Sequence, residues 1–160
     1  MPQGVTASSR VNKKKHEELF LEPVKSDHTE MYLKALWLLH EMGERPAKIS
    51  SISGILNISA PSVVEMLRRL AEHHLTEYIG RKGGVLTPKG DIVGRRMVRN
   101  TRLVEALMAC KFRIDVDEKV ACGLEHHMTN QFSESLCILL KHPRTCPHGY
   151  SIPRGICCER

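Results

Sequence analysis

The sequence predicts a mainly α-helical fold, with a winged helix-turn-helix in its N-terminal part and a smaller helical domain in its C-terminal part. Three observations predict this fold. Apolar residues recur at helical spacing through most of the 160-residue chain. Two short helices joined by a tight turn are followed directly by a glycine-rich hairpin, which is the order of a winged helix. A long amphipathic helix then leads into two further helices.

The composition limits the class of protein. The chain is 41% hydrophobic and 26% charged, and it carries six cysteines. No apolar run is long enough to cross a membrane, and no signal peptide is visible near Met1. We therefore expect a cytoplasmic protein without membrane contact, in which the cysteines are thiols or metal ligands rather than disulfides.

The first elements follow from the change in patterning near residue 28. Residues 1–27 are polar and unpatterned, apart from a stretch before Pro23 that could form a short helix, so they are predicted to be an N-terminal extension. The winged helix-turn-helix is predicted over residues 28–94. Its first helix is indicated by apolar residues at helical spacing, and Gly43 ends it.

The helix-turn-helix and its wing come next along the chain. Two helices are predicted at about 49–56 and 61–73, and Ser59 is the expected N-cap of the second one. The wing is predicted as two strands, 75–79 and 85–87, which flank a glycine-rich turn.

The C-terminal helical domain is predicted over residues 95–141. A long helix capped by Thr87 connects it to the wing, and the next helix is capped by Asp115 or Asp117. Because so few helices cannot enclose a large core, we expect the domain to pair with a second copy of the chain. The apolar residues predicted to face that copy are Leu107, Val120, Leu136, Ile138 and Leu139.

The charge distribution points to a polyanion. The chain has a net charge of +6, and residues 61–102 carry 9 basic and 4 acidic side chains, so five of the six surplus charges lie there. A basic block in a winged helix favours binding to double-stranded DNA. A winged helix that serves only as a protein-interaction module is the alternative, and the acidic Glu65 on the second helix is a mild argument for it.

The predicted DNA contacts are of two kinds. The first turns of the second helix would face base edges, and their small side chains favour readout by thymine methyl contacts, DNA shape and dimer spacing. These residues are Ser59, Ala60, Pro61, Ser62, Val64 and Glu65. The predicted phosphate contacts are Arg68, Arg69, Arg81, Lys82 and Lys89.

The stretch "ACGLEHHM" combines a thiol, a carboxylate and two imidazoles. On a helix, Cys122, Glu125 and His126 share one face, whereas His127 points elsewhere. A catalytic Cys–His pair would need an oxyanion hole and a substrate pocket, and no motif supplies them. A metal site for Fe(II), Co(II), Ni(II) or Zn(II) and an ordinary polar helix face both remain open on spacing alone.

Four motifs occur in a recognisable order over roughly residues 28–141: "TEMYL", "NISAPSVVEMLRRL", "LTPKG" and "CGLEHH". In this combination the chain resembles the diphtheria-toxin-repressor family of iron- and manganese-dependent transcriptional repressors. The resemblance implies a non-enzymatic, DNA-binding regulator of metal homeostasis that acts as a homodimer on operator DNA. It implies a helical dimerisation and metal-binding domain, and the two-domain form without an SH3-like domain.

The resemblance also implies a regulatory metal site made of Met31, Cys122, Glu125 and His126. The iron-responsive branch of the family has Met and Cys at the first two positions, where the manganese-responsive branch has carboxylates. Fe(II) is therefore the expected metal, with Mn(II), Co(II), Ni(II) or Zn(II) able to bind in vitro. A Mn(II)-responsive regulator of this family and a metal-independent or thiol redox-sensing winged-helix regulator remain alternatives.

A second, ancillary family site is matched only in part. Glu105 matches a ligand, but Thr101 stands where the family has a histidine, and Glu118 lies near another histidine position. A site built from Glu105 and Glu118, with waters or tail residues, remains possible.

Residues 142–160 form a predicted C-terminal tail with an unusual content of metal-binding side chains. They are His142, Cys146, His148, Cys157 and Cys158. Such a tail could bind zinc or a cluster, and a simply packed or disordered tail is the alternative.

Overall fold

The computed structural model describes residues 27–159, so the extension predicted before them lies outside the described residues. Within this range the predicted fold class is confirmed, since six α-helices and a two-stranded antiparallel sheet form a winged helix followed by a helical domain. Among residues 27–159, no helix combines the length and the apolar character that crossing a membrane requires.

The helix-turn-helix forms where its capping residues predict it. The first three helices are α1, Asp27–Glu41, α2, Ile49–Leu56, and α3, Ala60–Glu72. Asn57 adopts a left-handed φ of 53°, which lets the chain turn sharply after α2. Ser59 then caps α3, because its side chain accepts a hydrogen bond from the Ser62 backbone N–H at 3.3 Å.

The first strand of the wing is shorter than predicted, and the second has the predicted length but begins one residue earlier. Strands β1, Thr76–Tyr78, and β2, Gly84–Leu86, pair antiparallel, and a single 3₁₀ turn at Gly80–Lys82 joins them. Gly83 has a φ of +99° and packs so closely on Ala47 that a Cβ would lie 1.9 Å from the Ala47 carbonyl oxygen. Ala47 also pairs with Gly84, so the start of β2 lies against the segment before α2.

Helix α4, Pro88–Leu107, carries the chain from the wing into the second domain. Thr87 caps it as predicted, since its hydroxyl accepts from the Gly90 backbone N–H at 3.1 Å. Gly94 faces α1, where a Cβ would come within 2.6 Å of the Leu33 carbonyl oxygen. The missing side chain therefore lets α1 and α4 pack closely, which brings the two parts of the chain together.

The C-terminal elements are two short helices. After a π-helical turn at Met108–Phe112, they are α5, Glu118–Glu125, and α6, Asn130–Leu139. Asp117 rather than Asp115 is the N-cap of α5, because its carboxylate accepts from the backbone N–H groups of Lys119 and Val120. Glu125 therefore ends α5, and His126 lies directly beyond it.

Two apolar clusters form the core. One lies within the winged helix, and the other joins the end of α4 to α5, α6 and the C-terminal segment. The prediction that Leu136 faces a second copy is wrong, because Leu136 is buried in this second cluster. The C-terminal segment contributes Cys146, Ile152 and Cys157 to the same cluster, so it covers the side of α6 that the prediction left open.

Candidate metal centre

The side chains predicted as regulatory ligands come together from distant parts of the chain. The Cys122 sulfur lies 3.7 Å from the Met31 sulfur and 3.7 Å from Oε1 of Glu125. Nε2 of His126 lies 3.6 Å from the same carboxylate oxygen. Met31 belongs to α1, whereas the other three lie at the C-terminal end of α5, so the donors bridge the winged helix and the helical domain.

A carboxylate that sequence reasoning missed orients His126. Nδ1 of His126 lies 2.8 Å from Oε2 of Glu30, and Oε1 of Glu30 accepts a hydrogen bond from Arg96 at 2.6 Å. With a proton on Nδ1, the lone pair of Nε2 faces the Cys122 and Glu125 donors. The position of Glu30 directly before Met31 in the "TEMYL" motif could have pointed to its role. Its partner His126, however, is 96 residues away in the sequence.

Glu125 is the most enclosed of these donors. Its residue is 1% exposed, and burial raises the pKa of its carboxyl although Lys34 and His126 act in the opposite direction. The Lys34 ammonium lies 2.8 and 2.7 Å from the two carboxylate oxygens, and the Thr101 hydroxyl donates to one of them. The Glu125 carbonyl accepts from the Asn100 side chain at 3.2 Å, which holds the end of α5 on α4.

The donor set fits a divalent transition metal. Burial, followed by the neighbouring Glu125 carboxylate, raises the pKa of the Cys122 thiol, and a bound cation would favour the thiolate instead. Thioether, thiolate, imidazole and carboxylate donors together suit an ion of intermediate softness. The buried carboxylate also requires a positive charge beside it, and Lys34 supplies one.

A second group of donors lies further along α4, in a cavity that Cys122 also lines. Glu105, Cys146 and His148 offer ligand atoms that all lie within 4.8 Å of one another, and Nδ1 of His148 is 3.4 Å from Oε2 of Glu105. Glu118 lines the same cavity, of about 660 Å³, but is not one of the three converging donors. Thr101 also lines this cavity. The C-terminal segment thus supplies the donors that sequence reasoning could only describe as tail residues.

Most of the predicted DNA-facing residues of the winged helix are exposed. Val64 is half-buried, whereas the other first-turn residues of α3 are exposed: Ser59, Ala60, Pro61, Ser62 and Glu65. The predicted phosphate contacts are all exposed: Arg68, Arg69, Arg81, Lys82 and Lys89. The Arg68 guanidinium stacks over the Tyr78 ring at 5.5 Å, which holds this cation between α3 and the wing.

A winged helix joined to a helical domain, with a bridging set of potential metal ligands, defines a DNA-binding fold with a candidate metal centre between its two parts. The chain belongs to the family of iron-dependent repressors. Its residues 25–84 match the family model described as the iron-dependent repressor N-terminal DNA-binding domain, and residues 87–154 match the metal-binding and dimerisation domain. The resemblance identified from the motifs is thereby confirmed.

Individual relatives agree with this assignment. The iron-dependent repressor IdeR of Mycobacterium leprae is 32% identical over 129 residues, which are 79% of this chain and 56% of the relative. The diphtheria toxin repressor of Corynebacterium diphtheriae is 30% identical over 79% of this chain and 57% of the relative. The solved structure of the manganese regulator SloR is 32% identical, with a TM-score of 0.66, over 79% of this chain and 59% of that one. The chain spans slightly more than half the length of these curated relatives.

Proposed function

We propose that this chain is a metal-activated transcriptional repressor that binds operator DNA as a homodimer and controls metal homeostasis. The observation that carries the proposal is the convergence of Met31 on α1 with Cys122, Glu125 and His126 at the end of α5. Membership of a family with a DNA-binding domain and a metal-binding and dimerisation domain supports it. Such a protein catalyses no reaction and acts in the cytoplasm, where its DNA lies.

The side chains explain how a metal would influence DNA binding. Met31, Cys122, Glu125 and His126 would hold a divalent ion, and its directed bonds would span two parts of the fold. Met31 lies on the helix that packs beside the helix-turn-helix, so its position is coupled to that of the recognition helix α3. Fixing Met31 relative to α5 therefore favours one orientation of α3, and the population shifts toward the DNA-competent state.

The DNA contact uses the exposed residues of α3 and the wing. The first turns of α3 present small side chains to base edges, and Glu65 is the acidic exception among them. Arg81 and Lys82 at the tip of the wing, with Arg68 and Arg69 on α3, contact phosphates. Sequence discrimination then depends on methyl contacts, DNA shape and the spacing of two copies of α3.

Pairing of two copies accounts for the exposed apolar side chains of the helical domain. Val120 and Leu124 share one face of α5, and Phe132 and Leu139 share one face of α6. All four are exposed in the single chain, as is Ile138. An apolar surface of this extent on a domain of two short helices favours a dimer interface.

The ligand types favour Fe(II) over Mn(II) as the activating metal. Two of the proposed donors are sulfur atoms, and sulfur suits Fe(II) better than it suits Mn(II), which prefers oxygen. The cluster of Glu105, Cys146 and His148, with Glu118 in the same cavity, is proposed as a second binding position. Because this cluster includes a thiol and an imidazole, its ligands are softer than those of a site made of carboxylates and water.

The test is a DNA-binding titration under anaerobic conditions at one stated salt concentration, because phosphate contacts make the affinity salt dependent. The duplex is first selected by the protein from a random pool, in separate selections with Fe(II), Mn(II) and Zn(II). We expect Fe(II) to tighten binding and a chelator to reverse it. The Cys122→Asp variant should respond relatively better to Mn(II) than to Fe(II). DNA binding that is equal with each metal and with chelator would contradict the proposal.

A further inference from the structure

A third group of metal-binding side chains lies apart from the two clusters on α4 and α5. Cys137 in the last turn of α6, His142 just beyond it, and Cys157 and Cys158 near the C-terminus place four donor atoms within 4.8 Å of one another. From this arrangement we propose a structural zinc site with three thiolates and one imidazole. It is independent of the proposed regulatory function and of the residues that carry it.

Four of the six donor separations match those of a tetrahedron around one ion, and the other two are within 4.8 Å. Sγ of Cys158 lies 3.7 Å from Sγ of Cys137 and 3.8 Å from Sγ of Cys157. Nδ1 of His142 lies 3.6 Å from the sulfurs of both Cys137 and Cys158. A zinc ion about 2.3 Å from sulfur and about 2.1 Å from nitrogen requires S–S distances of about 3.8 Å and S–N distances of about 3.6 Å. The group is thus sized for a single ion rather than for a cluster of several irons.

The backbone is bent to bring His142 to this position. Lys141 and His142 both have left-handed φ angles, of 60° and 53°, which are uncommon for two consecutive residues that are not glycine. The His142 backbone N–H donates to the Cys137 carbonyl at 2.9 Å, so the chain folds back onto the helix that it has just left. Such a conformation persists where the surrounding structure or a ligand requires it.

A buried cation indicates that this group carries negative charge. The residue Arg99 is 6% exposed, and its guanidinium donates to Sγ of Cys157 at 3.3 Å and to the Pro153 carbonyl at 2.6 Å. No carboxylate of residues 27–159 forms a salt bridge with it. Because buried charges are normally paired, the partner of Arg99 is the sulfur group, and zinc with three thiolates and one neutral imidazole has a net charge of −1.

Gly155 has no side chain, and this leaves space for the Arg99 guanidinium. A Cβ at this position would lie 2.8 Å from the guanidinium carbon of Arg99, so no other residue fits without displacing it. The zinc site would therefore hold the C-terminal segment against α6 and α4. That segment also carries Cys146 and His148, so the site serves as a scaffold for the second donor cluster.

The experiment uses the full chain, purified under reducing conditions and dialysed against a chelator, with its metal content measured by mass spectrometry. We expect about one zinc per chain in the wild type. Two control variants should have the same zinc content. Cys110→Ser removes an exposed thiol that belongs to none of the three clusters, and Cys122→Ser alters only the proposed regulatory site. Cys158→Ser and His142→Asn should lose the zinc, and asparagine is chosen because it tolerates the left-handed backbone.

Two further measurements keep the outcome independent of how well the variants fold. Replacing zinc by Co(II) in the wild type should give the visible spectrum of a tetrahedral sulfur-rich site, and His142→Cys should retain the metal with a spectrum shifted by the fourth thiolate. The proposal would be overturned if the wild type binds no zinc, or if the zinc content is unchanged in Cys158→Ser and His142→Asn. It would also be overturned if the group holds iron with acid-labile sulfide, or a disulfide in place of the metal. Loss of DNA binding in Cys122→Ser with zinc retained would show that the regulatory and zinc sites are separate.

Discussion

Lys34 on α1 and Glu125 at the end of α5 form an ion pair that joins the winged helix to the helical domain. The ammonium nitrogen lies 2.8 and 2.7 Å from the two carboxylate oxygens, and the Glu125 side chain has no exposure to solvent. Met31 reaches across the same boundary three residues earlier on α1. The carboxylate proposed to bind metal is therefore also the one that Lys34 neutralises, so the lysine and a metal ion act on the same charge.

The first prediction concerns Lys34→Met in protein without metal. The buried Glu125 carboxylate loses its counterion, so the free energy of unfolding should fall by roughly 3 kcal/mol, in the range measured for breaking a buried ion pair. Denaturant unfolding in the presence of a chelator measures this change. The metal-induced rise in melting temperature should be larger than in the wild type, because the metal replaces a missing positive charge. Lys89→Met, an exposed lysine, is the control. An unfolding free energy equal to that of the wild type would contradict the argument.

The second prediction concerns Glu30→Gln. Because Glu30 orients the His126 ring through Nδ1, the affinity for Fe(II) should fall by about 10-fold to 100-fold, as expected for residues that orient a metal ligand. Competition with a chelator of known affinity measures the effect. Glu41→Gln is the matched control, since Glu41 lies on the same helix and pairs across the same boundary with Arg102, but does not contact His126. Equal loss of affinity in both variants would mean that domain packing, rather than ligand orientation, is responsible.

The third prediction concerns the wing. Removing both charges with Arg81→Ala and Lys82→Ala should weaken binding to all duplexes by a similar factor. The salt slope, which is the slope of the logarithm of the binding constant against the logarithm of the salt concentration, should fall by about 1 for each phosphate that is no longer bound. Binding measured at several salt concentrations gives both values. Arg144→Ala, an exposed basic residue of the C-terminal segment, should leave the slope unchanged. A change in sequence preference with an unchanged slope would instead place the wing tip against base edges.

The fourth prediction concerns pairing of the chains. Leu124→Glu and Leu139→Glu place charges on apolar side chains that are 48% and 59% exposed, so combining them should convert a dimer into a monomer while the chain stays folded. Analytical ultracentrifugation measures the mass. Ile92→Glu is the control, because Ile92 is 70% exposed but lies on α4 within the winged-helix half. A double variant that remains dimeric at low concentration would place the interface elsewhere.

Local chemistry accounts for what the sequence predicted well. Ser59, Thr87 and Asp117 each satisfy backbone N–H groups within three residues of themselves, so their helix starts are readable from short stretches. The start of β2 was placed one residue late because Gly84 pairs with Ala47, a contact between separate segments. Leu136 was assigned to the wrong surface for the same reason, since the segment that buries it returns from further along the chain.

In the candidate site, too, local features could be predicted from the sequence, whereas contacts between distant segments could not. The spacing of Cys122, Glu125 and His126 is a local property of one helix end, and it could be read from the sequence. The roles of Glu30 and Lys34 depend on how α1 packs against α5, and nothing in their own neighbourhood distinguishes them from ordinary charged helix residues. The donors contributed by Cys146 and His148 likewise depend on the return of the C-terminal segment to α4.

Two adjacent histidines allow a direct test of whether metal bound between α1 and α5 controls DNA binding. His126 faces Glu30 and Glu125, whereas His127 is exposed, so His126→Ala and His127→Ala change the same side chain one residue apart. The measurement is the Fe(II) concentration that half-saturates binding to the selected duplex, determined anaerobically for the wild type and both variants. We expect His126→Ala to lose stimulation by Fe(II) and His127→Ala to respond like the wild type. Full stimulation of His126→Ala would contradict this expectation.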